Sequence, residues 1–145
     1  MRKLFLILLC LLAAVPALAQ KKIIQPAGFP ANTPFSPGVL IDGTLYVAGQ
    51  TGTDLKTNQL PGNFADEVKS TLDRIGMILK AGGMDYPDVV STTVYLTDIS
   101  LFQQMNGVYT TYFKADRPAR ATVQVASLVG GAKIEIVAIA RKSAR

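Results

Sequence analysis

RPARATVQVASLVGGAKIEIVAIARKSAR, residues 117–145, carries the pattern that decides the fold. From Lys133 to Ala140 the residues Ile134, Ile136, Ala138 and Ala140 alternate with Lys133, Glu135, Val137 and Ile139, which is the period of two of a β-strand. Ala121 to Ala126 reads as a second extended segment, and Gly130-Gly131 as the turn that joins them. Each segment holds a charge where an ordinary core strand has none: Arg120 at the mouth of the first and Glu135 inside the second. A guanidinium and a carboxylate on neighbouring strands of an apolar sheet are the ingredients of a site that grips a small acid and handles a proton.

Both charges have a plainer reading. Glu135 shares its face with Val137 and Ile139, so it needs a partner, hydrogen bonds or a shift toward its neutral form. An ion pair with Arg120 or Lys133 meets that need, and so does a carboxylate held ready to orient or deprotonate a water. Arg120 follows the rigid approach Pro118-Ala119. It is either a surface charge or a clamp whose planar fork matches a carboxylate bidentately, which lysine cannot do.

Upstream, Val89 to Leu96 sets Val90, Thr92, Val94 and Leu96 against Ser91, Thr93 and Tyr95, a strand with one apolar face. Thr97-Asp98 caps a helix whose one side is Leu101, Met105, Val108 and Tyr112. A longer helix starts at the N-cap Asn63, with Asp66 and Glu67 where the helix dipole favours negative charge. Phe64, Val68, Leu72, Ile75 and Leu79 recur along it at helical spacing until Gly82-Gly83. Asp42-Gly43 between Val39–Ile41 and Thr44–Ala48 predicts a two-residue hairpin, followed by a loop through Gly49, Gly52 and 55–62. The prolines between Lys21 and Pro37 predict an irregular, extended lead-in. The order is ββαβαββ, an α+β sheet with two helices on one face.

Composition narrows the chemistry. With 145 residues, about half of them apolar, the chain can bury the core of one domain. It contains no His and no Trp, and its one cysteine is Cys10. Nucleophile systems built on His or Cys, and zinc or iron-sulfur sites built from them, are therefore excluded. Acid-base work falls to Asp, Glu, Lys, Tyr or bound water. No metal and no cofactor is expected. The formal charge of +5 loses two when Arg2 and Lys3 are set aside, leaving a weak +3, and no basic cluster interleaved with aromatics occurs. Nucleic acid is not the expected partner.

Residues 1–20, MRKLFLILLCLLAAVPALAQ, combine a basic start, an apolar run from Leu4 to Val15, Pro16 and the triplet Ala17-Leu18-Ala19. This is the pattern of a secretory signal peptide cleaved after Ala19, leaving 20–145 as a single periplasmic or secreted domain. The apolar run is too short for a stable membrane anchor. The mature chain then has no cysteine and suits an oxidising compartment.

Pro118-Ala119-Arg120, Val123, Val125 and Lys133-Ile134-Glu135-Ile136 with Ala138-Ile139-Ala140 resemble the C-terminal signature of the YjgF/RidA family of reactive-imine deaminases. Further matches are Pro34-Phe35-Ser36-Pro37-Gly38-Val39, Val47-Ala48-Gly49-Gln50, Thr93 to Asp98, Met105-Asn106, Tyr109 and Tyr112-Phe113, together covering nearly all of the mature chain in order. The resemblance implies a chorismate-mutase-like mixed sheet on two helices, assembled as a homotrimer with a ligand cleft at each interface. It implies that Arg120 clamps the substrate carboxylate while Glu135 positions the water that attacks the imine carbon. A 2-imino acid then becomes a 2-keto acid and ammonia. Gly49 and Asn106 match positions that form or support the cleft, and Phe35 stands in its wall. Three departures bear on the lining: Phe35 where the family commonly has tyrosine, Ala48 where it often has a hydroxyl residue, and Thr122 where it often has cysteine. A trimeric module of the same fold that binds a small carboxylate without turnover is the alternative. RNA cleavage, which has been reported in relatives, fits poorly with the weak charge, the lack of His and the export signal.

Overall fold

A computed structural model of the chain describes residues 20–142; residues 1–19, where a signal peptide is expected, and the tail 143–145 lie outside the described residues. Six strands form one mixed sheet in the order β1-β2-β3-β6-β4-β5. They are β1 (Lys22–Ile24), β2 (Gly38–Ile41), β3 (Thr44–Thr51), β4 (Val89–Leu96), β5 (Ala119–Gln124) and β6 (Ile134–Arg141). Two helices, α1 (Phe64–Ala81) after β3 and α2 (Phe102–Tyr112) after β4, complete the α+β architecture. The predicted order holds with one addition, because residues 22–24 of the lead-in pair antiparallel with β2. Proline punctuation hid this strand, whose three residues are too few to show a period.

Local rules account for the elements. Asp42 and Gly43 both adopt positive φ, 49° and 72°, and turn β2 into β3 as a type I′ hairpin requires. The Asn63 side chain accepts from the Asp66 N–H at 2.9 Å and caps α1. The helix ends at Gly82, and Gly83 turns the chain away with φ 73°. Phe64, Val68, Leu72, Ile75, Ile78 and Leu79 of α1 pack on Leu45, Val47, Val94, Ile134, Ile136 and Ala138, all buried. The even-numbered side of β6 is thus the helix-covered side, as its alternation predicted.

Two expectations need correction. Val90 is half exposed and leaves its predicted face, because the β4–β6 register shifts between Val89 and Ser91 and gives the buried position to Val89. More consequentially, β5 and β6 are not neighbours. The connection between them passes β4, which pairs parallel with β5 and antiparallel with β6. Two glycines suggested a hairpin, but the link from Gln124 to Ile134 is long enough to step over a strand. β6 instead enters between β3 and β4, so Glu135 stands in the middle of the sheet, opposite Thr51 on one side and Tyr95 on the other.

That central strand is held from the helix layer. Glu67 is 3% exposed, and its Oε1 accepts from the Lys133 N–H at 2.6 Å and the Ile134 N–H at 3.4 Å. Sequence reading placed Glu67 in the helix dipole alone; the structure gives it the start of β6 as well. Glu67→Ala is expected to destabilise the fold by about 1–3 kcal/mol, because buried donors lose their acceptor. Thermal unfolding of Glu67→Ala beside Glu67→Gln, which keeps an acceptor, checks this; an alanine variant that melts with the wild type contradicts it.

Candidate active site

Glu135 lies on the sheet face that the helices leave open. Its register partners Thr51 and Tyr95 point the same way, as do Val137 and Ile139 further along β6. The carboxylate has room there because of a bulge in β3. Between Val47 and Gln50 the register with β6 shifts, so Ala48 and Gly49 have no partner on β6. Gly49 comes so close to the Glu135 side chain that an added Cβ would overlap Oε1 and lie 2.8 Å from the carboxyl carbon. Glycine is needed here for space, since the Glu135 carboxylate occupies what a side chain would fill.

The bulge is pinned from the helix side. Gln50 is buried, and its Nε2 donates to the carbonyls of Ala48 and Gly49 at 3.0 and 3.1 Å. Arg74 of α1 donates from Nε to Gln50 Oε1 at 3.1 Å and from Nη1 to the Thr53 carbonyl at 2.7 Å. Burial pulls the Arg74 pKa below the usual arginine value, yet the group stays charged at any ordinary pH. Phe35, Ala48, Gly49, Thr51, Arg74 and Glu135 border one cavity of about 560 Å³.

Arg120 is elsewhere. It pairs with Thr92 of β4, whose side chain is buried under the helices, so Arg120 points to the helix side of the sheet. Its Cζ lies 4.6 Å from the centre of the Tyr109 ring and 5.5 Å from that of Phe102, both on α2. Its Nη1 is 3.9 Å from the Met105 sulfur. The Tyr109 hydroxyl shares a 2.8 Å hydrogen bond with Thr92, and burial raises the Tyr109 pKa, so a neutral ring supports the guanidinium. Asn106, Tyr109, Thr110 and Arg120 border a second, separate hollow of about 440 Å³.

The five residues singled out from the sequence therefore fall into two half-sites. Glu135, Gly49 and Phe35 share one cavity; Arg120 and Asn106 share the other, on the opposite side of the sheet. The expected ion pair of Glu135 with Arg120 or Lys133 is not formed, and among the described residues the ion pair present is Lys69–Asp73 on the surface of α1. Opposite faces and an intervening strand keep the two groups apart within one chain. Arg74 and Tyr109 were missed as site residues. For Arg74 the position was legible, since with Glu67 and Thr71 it recurs at helical spacing beside the apolar stripe of α1, but its partners were not.

A family model described as "Endoribonuclease L-PSP" matches residues 26–142. The 2-iminobutanoate/2-iminopropanoate deaminase of Bos taurus is 49% identical over 122 residues, which are 83% of this chain and 89% of the bovine protein. The Homo sapiens protein of the same name is 47% identical over the same shares. Among solved structures, the YjgF gene product of E. coli superposes with a TM-score of 0.80 at 34% identity, covering 84% of this chain and 99% of that one. E. coli TdcF with bound serine gives 0.79 at 33% identity over the same shares.

Proposed function

The chain belongs to the YjgF/RidA family, and from that premise we propose that it hydrolyses reactive 2-imino acids to 2-keto acids and ammonia at a site shared between two copies. The observation that carries this reading is the division of the charges. Among the described residues Glu135 opens into one cavity without an ion partner, and Arg120 into another that no carboxylate lines, so the base and the clamp of this reading belong to separate half-sites. The names of the bovine and human relatives support the reaction class. A relative crystallised with serine supports a small carboxylate-bearing ligand.

The chemistry follows from the groups available. Arg120 of one copy holds the carboxylate of the imino acid through its planar fork and fixes the C=N bond over Glu135 of the next. Glu135 takes a proton from a water as its oxygen adds to the imine carbon, giving a carbinolamine. The proton then passes to nitrogen, the C–N bond breaks as the carbinolamine hydroxyl gives its proton to Glu135, and ammonia leaves behind the keto acid. One water enters, one ammonia departs, and no electrons are exchanged. Gly49 keeps the carboxylate within reach. Gly49→Ala is expected to lower kcat by up to about 10²-fold with the fold intact, because a shift near 1 Å at a reacting group costs that much. Ammonia release from freshly generated imino acids, read beside circular dichroism, tests it.

A homotrimer supplies the second copy in this reading. Ile23, Tyr46 and Val123 are 46%, 49% and 44% exposed on the open side of the sheet, continuous with half-buried Val137 and Ile139. An apolar face of that extent favours coverage by further copies. Light scattering of the mature protein is expected to return three times the chain mass, and a monomer at micromolar concentration opposes the assembly. In this reading residues 1–19 are a signal peptide and the 20–145 domain works in the periplasm or outside the cell; mass spectrometry of the exported product is expected to find Gln20 at its N-terminus. The alternative, a carboxylate-binding module, differs by one result: keto acids raise its melting temperature while imino acids decay at the buffer rate.

A further inference from the structure

Arg74 is the cation of the Glu135 cavity, and the deaminase reading leaves it without a task. Its guanidinium is fixed on three sides. Nε bonds Gln50, Nη1 bonds the Thr53 carbonyl, and the Phe29 ring lies 5.2 Å from Cζ and covers one face. Nη2 donates to no protein group among the described residues, and no carboxylate there lies within 4.0 Å of the guanidinium. Arg74 instead borders two hollows that meet at Gly49 and Phe35, the Glu135 cavity and a smaller one of about 120 Å³ toward Phe29 and Pro37. It is a braced fork that borders the cavity in which, on that reading, a substrate would lie. The Glu135 cavity, at about 560 Å³, is in the range of pockets that hold ligands much larger than a three- or four-carbon imino acid.

We propose that Arg74 forms a second anion subsite of the Glu135 cavity, which selects 2-imino acids whose side chain ends in a second acidic group. This rests on the deaminase reading for the place of the imine carbon. The α-carboxylate goes to Arg120 of the neighbouring copy, and Arg74, on the same copy as Glu135, receives the far carboxylate across the cavity. Thr51, Thr53 and Asn58 line the path between with groups that can hydrogen-bond it. A fork already held by Gln50 and Thr53 loses little freedom on binding, which is what favours arginine for a planar, two-oxygen partner.

The test has a binding arm and a turnover arm, both on the mature protein. Calorimetry compares the product-like keto acids 2-oxoglutarate and 2-oxobutanoate. Wild type is expected to bind 2-oxoglutarate about tenfold tighter or more, and Arg74→Gln to erase that preference, as loss of a charge-assisted bidentate contact requires. Arg74→Lys should keep part of it. For turnover, the imines of glutamate and of 2-aminobutyrate are generated in place by an amino-acid oxidase, and the ratio of their kcat/KM values is expected to fall about tenfold in Arg74→Gln. An arginine that only braces the bulge lowers both substrates alike and leaves the ratio unchanged, which overturns the proposal. So does a wild type that binds the monocarboxylate 2-oxobutanoate as well as the dicarboxylate 2-oxoglutarate, a result that needs no variant to fold. If the keto-acid preference depends on Arg74 but no imine is turned over, the subsite stands and the deaminase reading fails. If imines are turned over without such a preference, the reverse holds.

Discussion

Glu135→Gln is expected to lower kcat for 2-imino acid hydrolysis by about 10²–10⁴-fold, the range that a positioned general base contributes. The amide is nearly isosteric and keeps a hydrogen-bonding group against Gly49, but it cannot take a proton from water. Because Glu135 forms no ion pair among the described residues, the substitution breaks no salt bridge, and thermal unfolding should move little. KM should change less than kcat, since the carboxylate of the substrate is held by another residue. Stopped-time assays of ammonia release with freshly generated imine read the rate, and a Glu135→Gln enzyme within threefold of wild type removes Glu135 from the chemistry.

Arg120→Ala is expected to lower kcat/KM by on the order of 10²–10³-fold, the effect of removing one partner of a charge-assisted pair that also orients the reacting bond. The loss should divide differently from that of Glu135→Gln: KM rises strongly, and keto-acid binding measured by calorimetry falls with it. Arg120→Lys restores the charge but not the fork, so it should recover only part of the binding. The Arg120 side chain lies against Tyr109 and Phe102, so its removal also uncovers ring surface. A melting temperature measured alongside separates that packing effect from the loss of the clamp.

Much of this arrangement was legible before any coordinates. Alternation in 133–140 gave β6 and its buried side, Asp42-Gly43 gave the hairpin, and Asn63 with the apolar stripe behind it gave α1. Each is a local signal, decided by residues within a few positions of one another. What failed was pairing. Which strands become neighbours depends on how connections wrap the core, and the two glycines at 130–131 gave no sign that β4 would come between β5 and β6. That single error put Arg120 and Glu135 on neighbouring strands, when the register places them on opposite sides of the sheet. The role of Arg74 was unreadable for a related reason, since its partners Gln50 and Thr53 lie more than twenty positions away.

The correction sharpens the functional reading. With both groups on one face, a salt bridge between Arg120 and Glu135 would have been the simplest outcome. Kept apart within the chain, they act together in the proposed reading only across two copies, which makes assembly a condition of the proposed activity. The family resemblance had implied clefts at subunit interfaces; the separation of the half-sites gives that implication a physical cause.

Subunit mixing tests the shared site most directly. Arg120→Ala and Glu135→Gln chains, each inactive alone, are co-expressed with different tags and the mixed trimers are purified through both. If each site joins Glu135 of one copy to Arg120 of the next, every mixed trimer has two intact groups in one of its three sites, and activity should return to about a third of wild type. A mixed trimer no more active than its inactive parents would contradict a site built from two copies.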